Sequence, residues 1–100
     1  ERIGVEDARQ KAQSGEALLV CSYGDSNCKS ILFDSALLKS EFEAKTAGLP
    51  KDKEIIFYCA WPSEATSAGL AEQYAGKGYT NVKALKGGVD AWKKAGYPFK

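Results

Sequence analysis

The stretch from Ile55 to Ser67 constrains the fold of this chain more than any other part of the sequence. It reads Ile-Ile-Phe-Tyr-Cys-Ala-Trp-Pro-Ser-Glu-Ala-Thr-Ser, the pattern of a buried strand, a cysteine, a short loop and a helix start. A thiol between a strand end and a helix start meets unpaired backbone N–H groups and the positive end of the helix dipole. Both favour the thiolate form, so the pattern predicts that Cys59 is a nucleophile.

An inert cysteine that packs as a small apolar side chain is the alternative for Cys59. Its position between strand and helix favours the reactive site over that alternative. The chain contains no histidine, which excludes a Cys–His pair supplied by this chain alone. Any activation of the thiol must therefore come from backbone groups and helix position.

The chain has three cysteines, an odd number, so they cannot all pair with one another. Cys21 ends a second apolar strand pattern, and neighbouring parallel strands lie about 5 Å apart. Cys21 is therefore a candidate resolving thiol for Cys59, with a buried structural cysteine as the alternative. Cys28 lies in a polar stretch and is predicted to be an exposed thiol. No metal site is expected, because the chain has neither His nor a Cys-x-x-Cys pair.

Strand and helix patterns alternate along the whole chain. The predicted strands are Ala17–Cys21, Ala36–Leu38, Glu54–Tyr58 and Val82–Leu85. The predicted helices are Val5–Ser14 closed by Gly15, a helix capped by Ser40 and Glu43, a helix after the Cys59 loop ended by Gly76 and Gly78, and Val89–Ala95 stopped by Gly96. This alternation predicts an α/β domain with a mainly parallel sheet and a ligand site at the carboxyl ends of its strands.

Composition limits the classes of function. With 100 residues, 44% of them hydrophobic, the chain is expected to form a single domain over residues 1–100. The net charge of +1 comes without a basic stripe, so no nucleic-acid partner is expected. No apolar run is long enough to predict a membrane span. We expect a soluble monomer, and the sequence leaves its compartment open between cytoplasm and periplasm.

Four segments resemble the single-domain rhodanese family, a sulfurtransferase fold, in their order and spacing. They are Leu49–Cys59, Gly78–Val82, Leu85–Trp92 and Gly96–Pro98. The resemblance implies a three-layer α/β/α domain with a mainly parallel central sheet of about five strands. It also implies that Cys59 carries sulfane sulfur as a persulfide, held by loop N–H groups, with no cofactor required. The expected active-site loop consists of Ala60, Trp61, Pro62, Ser63, Glu64, Ala65 and Thr66.

Two parts of the chain depart from the family pattern. Familiar rhodaneses often have a glycine and then an arginine in the loop, where this chain has Pro62 and Glu64. A carboxylate at that position repels thiosulfate-like donors, so weak thiosulfate:cyanide activity is expected. Without the arginine, phosphatase activity is disfavoured. The family's Asp-x-Arg after an early strand is replaced by Cys21-Ser22-Tyr23.

The loop is more similar to a rhodanese subgroup with the pattern Cys-x-Cys-Pro-x-Glu-Ala-Thr-Ser-Ala. Trp61 stands where that subgroup has its second cysteine and where some bacterial relatives have selenocysteine. One interpretation is that Trp61 replaces a redox residue. The other is that Trp61 is an aromatic side chain that presents apolar surface to the substrate.

Three functions are consistent with these residues. The first is sulfur transfer through a persulfide on Cys59, from a small sulfane-sulfur donor to a protein thiol or other nucleophile. The second is thiol–disulfide redox chemistry, in which Cys59 pairs with Cys21 or with a partner thiol. The third is a catalytically weak binding module whose pocket holds a peptide or a small anion.

Overall fold

The computed structural model of the protein describes residues 2–22, 32–33, 36–45, 48–58 and 65–99. Its strands are β1 (Arg2–Ile3), β2 (Ala17–Cys21), β3 (Ala36–Leu37), β4 (Glu54–Tyr58) and β5 (Val82–Leu85). Its helices are α1 (Val5–Ser14), α2 (Lys39–Lys45), α3 (Ala65–Gly76) and α4 (Gly88–Lys94).

The five strands form one sheet in the order β1-β5-β4-β2-β3, and every pair of neighbouring strands is parallel. The central strand is β4, and all five of its residues are buried. Its run of Ile-Ile-Phe-Tyr suits this position, because a parallel strand is covered on both faces. The predicted α/β fold with a mainly parallel sheet of about five strands is confirmed.

Successive residues of β4 enter two different cores, one on each face of the sheet. Ile56 and Tyr58 pack in a core that also contains Ala8 of α1 and Trp92 of α4. Ile55 and Phe57 lie in the other core, together with Phe42 of α2 and with Leu70, Ala71 and Tyr74 of α3. This alternation is the period of two expected of a strand, and it produces the three-layer α/β/α arrangement.

Stacked rings fill the core beneath α1 and α4. The ring of Phe33 lies between those of Tyr58 and Trp92, with centroid separations of 3.8 and 3.9 Å. Trp92 is fully buried, and its Nε1–H donates to the Pro98 carbonyl at 2.9 Å. Residue 33 also forms an antiparallel bridge with Phe99. The end of the described chain is thereby tied to the central strand.

Local signals located most helix and strand ends. Helix α1 ends at Gly15 with a φ of 86°, a left-handed conformation that glycine adopts without strain, as its sequence predicts. Helix α4 is displaced by one residue from the predicted Val89–Ala95. Strand β1 was not predicted, because two residues are too few to show a periodic pattern.

The predicted cap of α2 is wrong. This helix begins at Lys39, so Ser40 lies within its first turn and is not the N-cap. The backbone N–H of Leu38 donates to Glu41 Oε1 at 2.9 Å, which is the return bond of a capping box placed two residues earlier than predicted. The pattern Ser-x-x-Glu predicted the helix but not its first residue. Glu41 and Glu43 lie in the same part of the helix, and the sequence does not tell which of them forms the return bond.

No helix in the described part of the chain combines the length and apolarity needed to cross a membrane.

Candidate active site

The carboxyl ends of β2 and β4 meet at one edge of the sheet. Cys21, the last residue of β2, is in register with Tyr58, the last residue of β4. The backbone N–H of Ser22 continues the ladder and donates to the Tyr58 carbonyl at 2.9 Å. Since that carbonyl belongs to the peptide bond between Tyr58 and Cys59, β2 holds the end of β4 directly before the predicted loop.

Most of the predicted loop lies outside the described residues. This applies to the predicted nucleophile Cys59 and to Ala60, Trp61, Pro62, Ser63 and Glu64. Ala65 and Thr66 are the first two residues of α3, as the sequence predicts for a helix that follows the loop. The structure therefore describes both ends of the loop: the strand that enters it and the helix that leaves it.

Helix α3 lies over the end of β4. Leu70, Ala71 and Tyr74 pack in the same core as Phe57 of β4, and the rings of Tyr74 and Phe57 are 5.5 Å apart. Because β4 runs towards its carboxyl end before the chain turns into α3, the helix returns with its N-terminus at that edge. An N-terminus there presents unpaired N–H groups and the positive end of the helix dipole at the carboxyl end of β4.

Cys21 is fully buried, with 0% of its surface exposed, and it is disulfide-bonded. It is the only cysteine among the described residues, so its disulfide partner lies outside them. Its burial agrees with the structural alternative, while its bonded sulfur and its place beside Tyr58 agree with a resolving thiol. Its role as a resolving thiol therefore stays a prediction.

Ser22 is a residue that the sequence did not single out. It is only 6% exposed, and its Oγ has no hydrogen-bond partner although the atom is buried within the described part of the protein. Buried hydroxyls are normally paired, because an unpaired one costs about 1–3 kcal/mol. A serine directly after a buried strand, next to a cysteine, was the available signal. An unused donor therefore stands at the edge of the sheet where β4 delivers Cys59.

Tyr58 anchors the end of β4 from below. Its hydroxyl oxygen accepts a hydrogen bond from the Phe33 backbone N–H at 3.2 Å. Burial raises the pKa of Tyr58 well above its ordinary value, and the bond from Phe33 offsets only part of this effect. The phenol is therefore neutral at physiological pH, and it holds the strand end in place by packing and hydrogen bonding.

Charged groups gather at the opposite edge of the sheet. Glu54, the first residue of β4, is 7% exposed. Its carboxylate pairs with Lys11 Nζ at 3.0 Å and with Lys83 Nζ at 2.5 Å. Burial raises the pKa of Glu54, but hydrogen bonds from Lys83 and Lys11 outweigh that effect and leave the pKa below its ordinary value. This cluster is a full strand length away from the candidate site.

No group of three or more His, Cys, Asp or Glu side chains in the part of the chain that the structure describes could hold a metal ion.

A comparison with protein-family models supplies the assignment. The model of the rhodanese-like domain matches residues 26–95, which is well over half of the chain. The chain belongs to the rhodanese family. No curated protein matches this rhodanese-like domain.

Solved structures share the same fold. A rhodanese-related protein from Thermoplasma volcanium is similar at a TM-score of 0.74 and 20% identity, over 100% of this chain and 97% of that one. The human single-domain sulfurtransferase TSTD1 is similar at a TM-score of 0.75 and 16% identity, over 93% and 95% of the two chains. A thiosulfate sulfurtransferase from Pseudomonas aeruginosa matches 96% of this rhodanese-like domain but only 19% of its own length, at a TM-score of 0.75 and 22% identity. These likenesses establish the rhodanese fold.

Proposed function

We propose that this rhodanese-like domain transfers sulfur through a persulfide on Cys59. The observation that carries the proposal is the position of Cys59 in a member of this family. It follows Tyr58 at the carboxyl end of the central parallel strand, six residues before α3 begins at Ala65. This is the edge at which α/β sheets bind their ligands.

The reaction has two steps. The Cys59 thiolate attacks the outer sulfur of a sulfane-sulfur donor, so that thiosulfate would leave as sulfite and Cys59 would hold a persulfide. An acceptor thiolate then attacks the outer sulfur of that persulfide, takes it over, and restores the Cys59 thiolate. Sulfur moves as a neutral atom in both steps, so the enzyme is neither oxidised nor reduced over the cycle and no redox cofactor is needed.

Two sources of positive potential favour the anionic sulfur. The backbone amides of the loop from Ala60 to Ala65, with the N-terminus of α3, supply preorganised dipoles in the way that an oxyanion hole does. The unpaired hydroxyl of Ser22 supplies a further donor, since its backbone is bonded to the residue before Cys59. A hydroxyl that already lies buried needs no further desolvation when it bonds to sulfur.

The loop sequence points to the kind of substrate. Glu64 stands where an arginine would attract small anions, so we propose a thiol or protein acceptor over cyanide. The similarity to the Cys-x-Cys-Pro subgroup, with Trp61 in place of the second cysteine, supports an acceptor with an apolar surface beside its thiol. Trp61 would pack against that surface.

Mass spectrometry tests the proposal directly. The reduced protein is incubated with thiosulfate and, separately, with inorganic polysulfide, and its peptides are then mapped without reduction. A variant with Cys21→Ser keeps any persulfide from being resolved within the chain. We expect the peptide that contains Cys59 to gain one sulfur atom in this variant. If that peptide gains sulfur from neither donor, sulfur transfer through Cys59 is wrong.

Thiol–disulfide exchange is a second candidate, and the disulfide on Cys21 is the observation that favours it. Here Cys59 would exchange electrons with a partner dithiol, and Cys21 would close the internal disulfide. Peptide mapping under non-reducing conditions after mild oxidation tests this function. We expect a peptide pair that joins Cys21 to Cys59, and the recovery of only free thiols would count against it.

A further inference from the structure

The disulfide on Cys21 lies at the edge of the sheet that holds the candidate site. Its sulfur belongs to a side chain with no exposed surface, at the end of β2 and beside the strand that leads to the proposed nucleophile. The bond therefore starts from a core residue that lies directly beside Tyr58, the last residue of β4.

Strand register limits how far Cys59 can be from Cys21, because Cys59 is bonded to Tyr58, the register partner of Cys21. Paired residues of neighbouring strands lie about 4.8 Å apart, and consecutive Cα atoms about 3.8 Å, so the two cysteine Cα atoms are within about 9 Å of each other. Disulfides span Cα separations of about 4.4–6.8 Å. The described strands provide no such register for Cys28, which follows Cys21 in the sequence. Cys59 is therefore the better partner.

We propose, on the basis of the sulfur-transfer function above, that Cys21 resolves the persulfide on Cys59, releases hydrosulfide and leaves a Cys21–Cys59 disulfide. The domain would then convert sulfane sulfur to sulfide in addition to passing it to an external acceptor. Ser22, whose N–H is bonded to Tyr58, keeps the two strand ends in register during this step.

The step balances in atoms and electrons. The Cys21 sulfur attacks the Cys59 Sγ, so that an Sγ–Sγ bond forms and the bond from Cys59 Sγ to the outer sulfur breaks. The outer sulfur leaves with the electron pair, and the proton of Cys21 leaves with it as HS⁻. In this step the Cys21 sulfur is oxidised to the disulfide level, the Cys59 Sγ keeps the level it had in the persulfide, and the outer sulfur is reduced to sulfide.

A Cys21 thiol held beside Cys59 reacts as though it were present at a very high concentration. The reaction within the chain can therefore compete with external thiols.

An external dithiol completes the cycle by reducing the disulfide. Because Cys21 has no exposed surface, the incoming thiolate attacks the sulfur of Cys59, and Cys21 is the leaving group. The mixed disulfide thus forms on Cys59, and the second thiol of the reductant releases it. Reduction by a monothiol would stop at the mixed disulfide on Cys59, or a second monothiol would release that disulfide only slowly.

A single-turnover experiment tests the resolving step. The full chain is reduced with a phosphine, freed of it, mixed anaerobically with thiosulfate, and quenched with acid. Released sulfide and the intact mass are measured, and peptides are mapped without reduction. Wild-type protein is compared with Cys21→Ser, Cys21→Ala and Cys28→Ser, the last being the matched control. Mapping of the wild-type protein reads out the bond directly even where a substitution of the buried Cys21 impairs folding.

We expect the wild-type protein and Cys28→Ser to form the Cys21–Cys59 disulfide with stoichiometric sulfide. Both Cys21 variants should keep sulfur on Cys59 and release at least about tenfold less sulfide, because they lack the tethered thiol. Equal sulfide release by the wild type and the Cys21 variants, or a bond that maps to Cys21 and Cys28, would overturn the resolving step and leave the proposed function intact. If Cys59 takes up no sulfur even in the Cys21 variants, the proposed function fails and the resolving step fails with it.

Discussion

At its amino-terminal edge the central sheet begins with Glu54, whose buried carboxylate is held by two lysines. At its carboxyl-terminal edge it ends beside Ser22, whose buried hydroxyl has no partner among the described residues, and beside the disulfide-bonded Cys21. One edge has its polar groups satisfied, and the other keeps a donor unused. Since an unpaired buried group costs stability, the difference suggests that the first edge serves folding and the second serves chemistry.

Replacing Cys59 by Ser is expected to have the largest effect. Sulfur uptake should fall by at least about 10³-fold, because the hydroxyl of serine is a far weaker nucleophile than a thiolate. The measurement is sulfur incorporation by mass spectrometry, with Cys28→Ser as the matched control. Activity that survives in Cys59→Ser would show that the carboxyl-terminal edge of the sheet is not the site of sulfur transfer.

Glu54→Gln should reduce stability and spare the chemistry. Loss of the charge leaves Lys83, whose side chain is 14% exposed, without its counter-ion, and we expect the free energy of unfolding in urea to fall by about 2 kcal/mol. Glu72→Gln, on the exposed face of α3, is the control and should change little. A loss of sulfur uptake by folded Glu54→Gln would show that the two edges are coupled.

The contribution of Glu54 should depend on pH in one direction. Its pKa in the folded protein lies below the ordinary value of 4.5, so the ionised carboxylate stabilises the fold at neutral pH. That stabilisation is lost as the pH falls below 4.5 and through the folded-state pKa. Urea unfolding of wild type and Glu54→Gln over an acid series should therefore show a difference that shrinks towards low pH. A difference that grows on acidification would contradict this assignment.

Ser22→Ala should show the opposite behaviour to Glu54→Gln. Removal of an unpaired buried hydroxyl should raise the free energy of unfolding by about 1 kcal/mol. Loss of the proposed donor to sulfur should slow persulfide formation about tenfold. Stopped-flow or quenched kinetics and urea unfolding measure the two effects. Ser14→Ala, at the exposed last residue of α1, should leave the kinetics unchanged, and it should not raise stability because the Ser14 hydroxyl is hydrogen-bonded to Lys11 and Glu16. A Ser22→Ala variant with unchanged kinetics would assign Ser22 no role in the chemistry.

Much of the fold could be predicted from local patterns. The bounds of α1, β2, β4 and β5 agree with the sequence prediction, because each has a clear period and a glycine, proline or polar turn at its end. Strand β1 and the first residue of α2 could not be predicted in this way. Two residues carry no period, and the cap of α2 depends on which of two glutamates reaches back to the backbone.

The residues of the candidate site likewise fall into those that could be predicted from neighbouring residues and those that could not. Cys59 could be singled out because its surroundings are consecutive in the chain, from the strand before it to the helix after it. Ser22 could not, because its importance comes from a bond to Tyr58, which lies far along the sequence. The pairing of Glu54 with Lys11 and Lys83, 43 and 29 residues away, was invisible for the same reason.

The sequence by itself determined the alternation of strands and helices and the position of Cys59 between a strand and a helix, because both follow from neighbouring residues. Only the tertiary structure decided that β2 lies beside β4 and that Cys21 faces Tyr58. Strand order and register depend on packing across both faces of the sheet, between residues that are distant in the chain. That packing gives one edge its paired charges, and it gives the other a bonded cysteine and a hydroxyl that is unpaired among the described residues.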